Sequence, residues 1–440
     1  MNQDHYWVHT WTAMPMLAEP DKLPPKEFVS TYDKLESSGL QLEGLDMNDL
    51  PENKIRDSIA FTNATIRQTI KITLGTDRFF RLRFSNAFGR DNLKISQASV
   101  AISADELAGT SRIQAHTLRN VTFDGGSAKT HIPGGALAVS DAIDFGTPLA
   151  ANTILSISLF FEDGQSCRTG ITCHNSSRST SFCALGNAVS NLVLEDSSVR
   201  EFAPWYYISG VEVLIPRQKS TLAIIGDSIT DGRSSTPHRN DRWPDLLFTR
   251  LHADPATTSL SVISQAVGGN RILADGTGPN VLSRLDRDIL AIPGLKYVVI
   301  FEGVNDIGVA DANEESQREI GDQLIAGFQQ IATRVHNHGL KIFAATITPF
   351  GRRKDDFIVD AEAEGLTGYS HPLREQTRQR INEWIRDNEQ FDGVVDFDQI
   401  LRDNEQPSVL ASEFDSGDRL HPNLDAFHAL ANGFSLNLLK

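Results

Sequence analysis

The sequence predicts an α/β protein of two domains, a β-rich sandwich in residues 1–215 and a parallel-sheet domain in residues 216–440. The chain has 440 residues, and 40% of them are hydrophobic, which is too much apolar material for one ordinary core. Its first half consists of short alternating or β-branched stretches separated by Gly, Asp, Asn and Pro, which is typical of antiparallel strands. Its second half alternates apolar strands with amphipathic helices.

The β-rich pattern extends from about residue 66 to residue 214. Its strands are IRQTIKITLG, RFFRLRFSNAFG, NTILSISLFFED and VEVLIP. The aromatic residues Phe79, Phe80, Phe160 and Phe161 occur at strand spacing, so we expect them in the core rather than on a carbohydrate-binding surface.

The second half begins with the strand TLAIIG. The strands LSVISQ, KYVVIFEG, LKIFAATIT and GVVDFDQIL follow, and the predicted helices are WPDLLFTRLHA, a helix from Ser316 to Gly339, PLREQTRQRINEWIRDN and DAFHALANGFSLNLL. A loop is expected after LSVISQ. Strands that alternate with helices form a parallel sheet with helices on both faces. Gly339 stands where a helix-ending glycine belongs.

Charge and hydropathy exclude several classes of partner. The formal net charge of −16 opposes contact with nucleic acid and with anionic membranes, which leaves neutral or small substrates. No apolar run is long enough for a membrane span. The first residues, MNQDHYWVHTWTAM, lack the hydrophobic segment of a signal peptide, so we expect either an intracellular protein or one whose signal has been removed.

The three cysteines fall in one short segment. Cys167, Cys173 and Cys183 can form at most one disulfide, with three possible pairings, or can remain thiols. His174 lies nearby, but no second pair of ligands exists elsewhere in the chain. We therefore expect no metal and no cofactor.

Four segments with chemically useful residues follow the predicted strands or precede the last helix. Open parallel sheets bind ligands beyond the carboxyl ends of their strands. GDS, VGGN, GVND and GDRLHPN supply Ser228, Gly269, Asn305, Asp418 and His421. Each segment alone is an ordinary turn, but together they provide the residue types needed for acyl transfer.

Each of these residues meets a chemical need of acyl transfer. The Ser228 hydroxyl requires a base, and His421 is the histidine at a predicted strand-to-helix corner. Asp418, three residues earlier, can hold the imidazole in the required tautomer. The backbone N–H groups of Ser228 and Gly269 and the Asn305 amide are candidate donors to an oxyanion.

Two further features bear on this site. The chain has no G-x-S-x-G, so the nucleophile turn of the α/β-hydrolases is missing, and we interpret Asp227 as a structural residue that braces the turn. The polar stretch from about Phe350 to Tyr369 is too long for an ordinary connection, which makes it a candidate pocket wall.

The segments GDSIT, VGGNR, GVND and DRLHPN, in this order across residues 221 to 440, resemble the four blocks of the SGNH, or GDSL-type, hydrolase family. RWPDLL resembles the family's helix after the nucleophile. The resemblance implies a flavodoxin-like parallel sheet, Ser228 as nucleophile, Gly269 and Asn305 as oxyanion donors, and Asp418 and His421 as the rest of the triad.

The sequence departs from the family pattern at two positions. Gly268 stands where many members carry Ser, and Ala266 stands where many carry Gly; neither change affects the triad. YWVHTWTAMPM and PWYYISGVEV resemble a two-domain subgroup of microbial, especially fungal, GDSL esterases, whose members are often secreted. The resemblance therefore implies a secreted protein.

The leading hypothesis is a serine carboxylesterase for short acyl esters, such as acetyl groups on sugars or other small alcohols. One alternative is a lipase or lysophospholipase, although no helix with a strongly apolar outer face lies near the four segments. Another is a glycan-binding protein with an inactive hydrolase domain, against which the complete set of five residues argues.

Overall fold

The computed structural model describes residues 5–29, 58–167, 170–353 and 369–440. The chain divides into two compact units, Met1–Ile215 and Pro216–Lys440. The assignment of residues 1–215 and 216–440 as two domains stays a prediction.

The N-terminal unit is built mainly of strands. Those in its described part are β1 (His5–Thr12), β2 (Met16–Leu17), β3 (Ile59–Ala60), β4 (Ala64–Lys71), β5 (Phe79–Ser85), β6 (Leu93–Ile95), β7 (Gln97–Ile102), β8 (Arg119–Val121), β9 (Thr130–Ile132), β10 (Leu137–Val139), β11 (Ile143–Asp144), β12 (Ile154–Phe161), β13 (Gln165–Ser166), β14 (Thr172–His174), β15 (Ser181–Leu185), β16 (Arg200–Phe202), β17 (Trp205–Tyr206) and β18 (Ile208–Pro216). Short 3₁₀ turns lie at Pro20–Lys22, Lys26–Phe28, Ala104–Glu106 and Ala115–Thr117.

Two larger sheets organise these strands. One has the order β1-β18-β5-β10, with β11 also paired to β5, and the other has the order β16-β15-β4-β12-β7-β8. The pairings of β12 with β4 and β7 are antiparallel, as are those of β5 with β10, β11 and β18. The β-rich character of this half is thus as predicted, and the sandwich arrangement stays a prediction.

The central strand β12 explains why this sequence forms a sheet. All eight of its residues are buried, and its apolar side chains alternate with Ser156 and Ser158. Ser158 accepts a hydrogen bond from Nε of the buried Arg67 at 2.8 Å, so this polar position of the strand is used inside the fold. Phe80, Phe160 and Phe161 are buried, as expected of core residues, whereas Phe79 is only partly buried.

The cysteines in this unit are free. Cys173 and Cys183 are buried, and burial raises the pKa of both thiols, which makes them unreactive. Of the two possibilities left open above, the structure has thiols rather than a disulfide.

The C-terminal unit alternates strands and helices. Its strands are β19 (Ser220–Gly226), β20 (Leu260–Ala266), β21 (Leu295–Phe301), β22 (Lys341–Ala345) and β23 (Gly393–Val395). The helices in its described part are α1 (Ser228–Asp231), α2 (Trp243–Ala253), α3 (Val281–Leu285), α4 (Val304–Val309), α5 (Glu314–Asn337), α6 (Pro372–Asp387), α7 (Phe397–Leu401) and α8 (Leu424–Gly433). A π-helical turn, Asp286–Leu290, extends α3, and a 3₁₀ turn, Leu436–Leu439, follows α8.

The five strands form one parallel sheet of order β20-β19-β21-β22-β23. Numbered within the unit this order is 2-1-3-4-5, that of flavodoxin. Alternate side chains point to opposite faces: Ile225 and Ile300 pack in one cluster with residues of α3, α5 and α6, whereas Phe301 contacts Phe397 of α7 on the other face. The predicted parallel sheet with helices on both faces is therefore confirmed.

Several predicted boundaries need correction. GVVDFDQIL is not one strand, because β23 ends at Val395 and the Asp396 side chain caps α7. The expected loop after LSVISQ contains α3. The helix expected from Ser316 begins at Glu314, because the Asn313 side chain accepts the hydrogen bond of the Ser316 N–H at 2.9 Å. Gly339 follows that helix with a φ of 69°, as a helix-ending glycine should.

Within the described ranges, no helix combines the length and apolar character that crossing a bilayer requires.

Candidate active site

Ser228 lies at a sharp turn between β19 and α1. The Asp227 carboxylate accepts a hydrogen bond from the Ile229 N–H at 2.9 Å, so it caps this short helix, in keeping with the structural role predicted for it. Gly226 leaves room for the Thr230 side chain, and Gly232, with a φ of 92°, ends the turn of helix. The turn thus places Ser228 at the first helical position.

Ser228, His421 and Asp418 lie in one hydrogen-bonded series. The Ser228 Oγ is 2.8 Å from His421 Nε2, and His421 Nδ1 is 2.6 Å from Asp418 Oδ2. With its hydrogen on Nδ1, the imidazole donates to Asp418 and accepts from Ser228. In this tautomer both ring nitrogens of the buried His421 form hydrogen bonds.

Asp418 is held in its ionised form. Burial raises its pKa, but hydrogen bonds from the His421 side chain and from the backbone N–H groups of His421 and Leu420 outweigh burial and hold the pKa well below its usual range. The Arg233 Nε is 3.8 Å from Asp418 Oδ2 and adds a partly exposed positive charge.

The turn that carries Asp418 and His421 differs from the prediction. No strand precedes His421; an isolated bridge between Asp415 and Pro422 closes the turn instead. Asp415 Oδ1 accepts hydrogen bonds from the N–H groups of Gly417 and Arg419, which has a φ of 65°. The expected strand-to-helix corner is therefore a turn before α8, stabilised by an aspartate that sequence reasoning missed.

The glycine loop after β20 passes beside Ser228. A Cβ atom at Gly268 would lie 3.8 Å from the Ser228 Cβ, and the Gly268 N–H donates to Asp231 Oδ2 at 3.1 Å. Gly269 has a φ of 74°, and a Cβ there would lie 2.9 Å from Thr277 Oγ1, so conformation and space both favour glycine.

Asn305 links α4 to this loop. Its Nδ2 donates to the Asn270 carbonyl oxygen at 2.9 Å, and its Oδ1 accepts from the Tyr369 hydroxyl at 2.9 Å. Asp306 adds two bonds, because its carboxylate accepts from the N–H groups of Ile272 and Leu273 at 3.0 Å each. Hydrogen bonds thus connect the predicted GVND segment to the VGGN segment. The oxyanion roles of Ser228, Gly269 and Asn305 stay predictions.

Tyr369 is a site residue that sequence reasoning missed as an individual. It is the last residue of the polar stretch predicted to form a pocket wall, of which residues 354–368 lie outside the described residues. The length of that stretch was the one signal in the sequence, and it did not indicate a particular side chain.

Three buried carboxyl groups interact electrostatically at and near the serine turn. Burial raises the pKa of Asp227 to about 7 and that of Asp306 to about 6, with the Asp306 charge contributing to the shift of Asp227. Burial also raises the pKa of Glu302 well above its usual range, and its carboxyl oxygens have no hydrogen-bond partner among the described residues. Negative charge in this region is therefore costly.

The described residues contain no cluster of three or more His, Cys, Asp or Glu side chains that could hold a metal ion.

The sheet order and the residues at its carboxyl edge first define a class: the C-terminal unit is a doubly wound α/β domain in which a serine at the end of the first strand contacts a histidine, and that histidine contacts an aspartate. The family model described as GDSL-like lipase/acylhydrolase matches residues 222–434. Residues 222–434 thus form a domain of the GDSL-like lipase/acylhydrolase family, as the four motif segments predict. A comparison with curated proteins finds no match.

Among solved structures, the chain is similar to an acetylxylan esterase from Geobacillus stearothermophilus at 19% identity, with 50% of this chain and 94% of that chain covered and a TM-score of 0.35. It is similar to the acetyl xylan esterase AlAXEase at 17% identity, with 48% and 96% covered and a TM-score of 0.35. A GDSL-like lipase from Bacteroides thetaiotaomicron has 16% identity, with 51% and 90% covered and a TM-score of 0.33.

Proposed function

We propose that residues 216–440 form a serine ester hydrolase in which Ser228 is the nucleophile, His421 the general base and Asp418 the group that orients His421. One observation carries the proposal: Ser228 Oγ, both ring nitrogens of His421 and the Asp418 carboxylate form an unbroken series of hydrogen bonds of 2.8 and 2.6 Å. Such a series lets the imidazole accept the serine proton while the carboxylate stabilises the resulting imidazolium.

The reaction then runs in two halves. The Ser228 Oγ forms a bond to the acyl carbon as its proton moves to His421 Nε2, and the carbonyl oxygen becomes an oxyanion. The tetrahedral species collapses, the ester C–O bond breaks, and the alcohol leaves with the proton from His421. Water repeats these steps on the acyl-serine and releases the carboxylic acid.

The oxyanion is assigned to donors from three adjacent segments. Ser228 and Gly269 provide backbone N–H groups for which no acceptor is found among the described residues. Asn305 uses one of its two amide hydrogens on the Asn270 carbonyl, so the second can bind the oxyanion. A family with this chemistry needs no cofactor, and we assign none.

We infer that the substrates are esters of short acyl groups with polar alcohols, acetylated sugars among them. Of the described residues in the C-terminal unit, one large hydrophobic side chain, Val309, is strongly exposed, so a surface for long acyl chains is missing there. Polar side chains lie beside the site: Arg233 near Asp418, Thr277 near Gly269 and Tyr369 on Asn305. We also propose that the protein is secreted, as the resemblance implies.

Covalent labelling tests the nucleophile. A fluorophosphonate should modify Ser228 in the folded protein, as located by peptide mass spectrometry, because the reagent reacts with an activated serine hydroxyl. His421→Ala should suppress labelling, whereas Ser412→Ala, at an exposed serine of the same unit, should label like the wild type. Labelling of another serine would overturn the assignment.

A panel of p-nitrophenyl esters from acetate to palmitate, together with acetylated sugars, tests the substrate class. We expect kcat/KM to be highest for acetate and to fall as the acyl chain lengthens. An optimum at palmitate would favour a lipase instead. No hydrolysis of any ester, together with saturable glycan binding, would favour a binding protein.

A further inference from the structure

Tyr369 contacts the candidate oxyanion amide from outside the four motif segments. Its hydroxyl donates to Asn305 Oδ1 at 2.9 Å, and its ring packs against Phe350 with the centroids 6.3 Å apart in a T-shaped arrangement. Gly308 of α4 makes room for the ring, because a methyl group at that position would overlap it. The ring is therefore held between α4 and the segment after β22.

The hydrogen bonds of Asn305 leave one orientation for its amide. The Asn270 carbonyl oxygen can only accept, so it requires Nδ2 on its side of the amide plane. Rotation by 180° would place Oδ1 against that carbonyl and lose the bond. The Tyr369 hydroxyl favours the same amide orientation, because it donates a hydrogen bond to Oδ1.

The Tyr369 hydroxyl keeps its proton and therefore stays a donor. Burial raises its pKa, and the nearby charges of Asp227 and Asp306 raise it further against the opposing effect of Arg374 and Arg271. An ionised phenol would face Oδ1 with a negative charge, but that form is disfavoured here.

We propose that Tyr369 is a positioning residue for ester hydrolysis, whose hydroxyl fixes the Asn305 side chain so that its second amide hydrogen meets the developing oxyanion. The inference rests on the proposed function. Tyr369 itself touches no reacting atom, so its effect must pass through Asn305. Because the oxyanion develops in the transition state, the effect should fall on kcat rather than KM.

A double-mutant cycle on p-nitrophenyl acetate hydrolysis tests this inference. Tyr369→Phe removes one hydroxyl and should lower kcat about tenfold, because its hydrogen bond to Asn305 is lost. KM and Tm should stay nearly unchanged. In an Asn305→Ala background the same change should have no further effect, because the group it positions is absent. Gly308→Ala, which displaces the ring, should reproduce the loss of kcat.

Tyr297→Phe is the matched control. Tyr297 is a buried tyrosine of β21 whose hydroxyl donates to the Leu439 carbonyl oxygen at 3.1 Å, away from the site. This variant should keep the wild-type kcat. Wild-type kcat in Tyr369→Phe, or a tenfold further loss in the Asn305→Ala background, would overturn the inference. Full activity of Ser228→Ala would instead overturn the proposed function, so the two failures can be told apart.

Discussion

Carboxyl groups near Ser228 fall into two kinds whose pKa values shift in opposite directions. Asp418 accepts several hydrogen bonds that outweigh its burial, so its pKa is lowered. Asp227 and Asp306 are more deeply buried, and desolvation outweighs their backbone hydrogen bonds, so their pKa values are raised. The carboxyl group that contacts the histidine is thus the most readily ionised, and Asp227 and Asp306 keep their protons to a higher pH.

Asp227 should make the protein less stable as the pH rises. Its pKa is raised to about 7 in the folded state. Below its unfolded pKa of about 4 it is protonated in both states, and between these values it ionises in the unfolded chain first. The free energy of unfolding therefore falls as pH rises through this window. Asp227→Asn, which keeps an acceptor for Ile229, should lose less stability than the wild type between about pH 5 and about pH 8.

Urea denaturation at both pH values measures this difference. Asp403→Asn is the control, because Asp403 has a lowered pKa and is ionised throughout the range, so this change should leave the pH slope as it is. An Asp227→Asn variant with the wild-type slope would contradict the raised pKa of Asp227.

Substitutions of Asn305 distinguish an oxyanion donor from a residue that merely closes a turn. Asn305→Ala should lower kcat by on the order of 10² to 10³ with little change in KM, as loss of one such donor does. Asn305→Asp should be at least as harmful, because it would place a carboxylate oxygen against the Asn270 carbonyl and near the oxyanion. A nearly wild-type Asp variant, assayed on p-nitrophenyl acetate, would exclude the oxyanion role.

Among the elements, the glycine loop after β20 depends on side chains from its neighbours. Asp231 of α1 and Asp306 of α4 accept its N–H groups, and Arg284 of α3 donates to the Asn270 side-chain oxygen through Nε and Nη2 at 3.2 and 2.8 Å. Both Arg284 and Asn270 are buried. The loop is therefore placed by polar contacts rather than by regular structure.

Asn270→Ala should lower the free energy of unfolding more than the replacement of an asparagine at a helix end does. It removes the acceptor of a buried guanidinium, which costs roughly 2 kcal/mol or more. Asn313→Ala removes the exposed cap of α5, which costs about 1 kcal/mol. Urea unfolding of both variants checks the order, and an equal or smaller loss for Asn270→Ala would show that Arg284 finds another partner.

Elements were predictable where periodicity was strong and unpredictable where tertiary contacts decide. The strands of the parallel sheet and α2, α5 and α6 follow from their apolar patterns. The sequence does not predict helix α3, because its five residues are too few for a helical period. It predicts a strand where α7 lies, because Asp396, the cap of that helix, lies within an apolar run. Short helices of this kind are set by caps and packing more than by pattern.

At the scale of the whole molecule, all five predicted site residues belong to the unit Pro216–Lys440. Their hydrogen-bond partners described above belong to it as well. We therefore expect residues 216–440, produced alone, to hydrolyse p-nitrophenyl acetate with a kcat within about tenfold of the full chain. A fragment that folds, as judged by its circular dichroism spectrum, but lacks activity would show that the β-rich unit takes part in catalysis.

The site was predictable to the extent that its residues follow strands. The sequence places Ser228, Gly269 and Asn305 at the strand ends and pairs Asp418 with His421 by their spacing. The contact of Tyr369 with Asn305 joins residues that are distant in the chain. The hydrogen bonds of Asp415 lie within irregular backbone. No local pattern encodes such contacts.

The most direct test of the account is the turnover of Ser228→Ala on p-nitrophenyl acetate, with Ser412→Ala as the matched control. Ser228 Oγ contacts His421 and lies at a strand end, so its loss should leave Tm nearly unchanged. We expect kcat to fall by at least about 10³, with any residual rate supplied by binding and the oxyanion donors. A variant that keeps a tenth of the wild-type kcat with a normal melting curve would contradict a serine mechanism at this position.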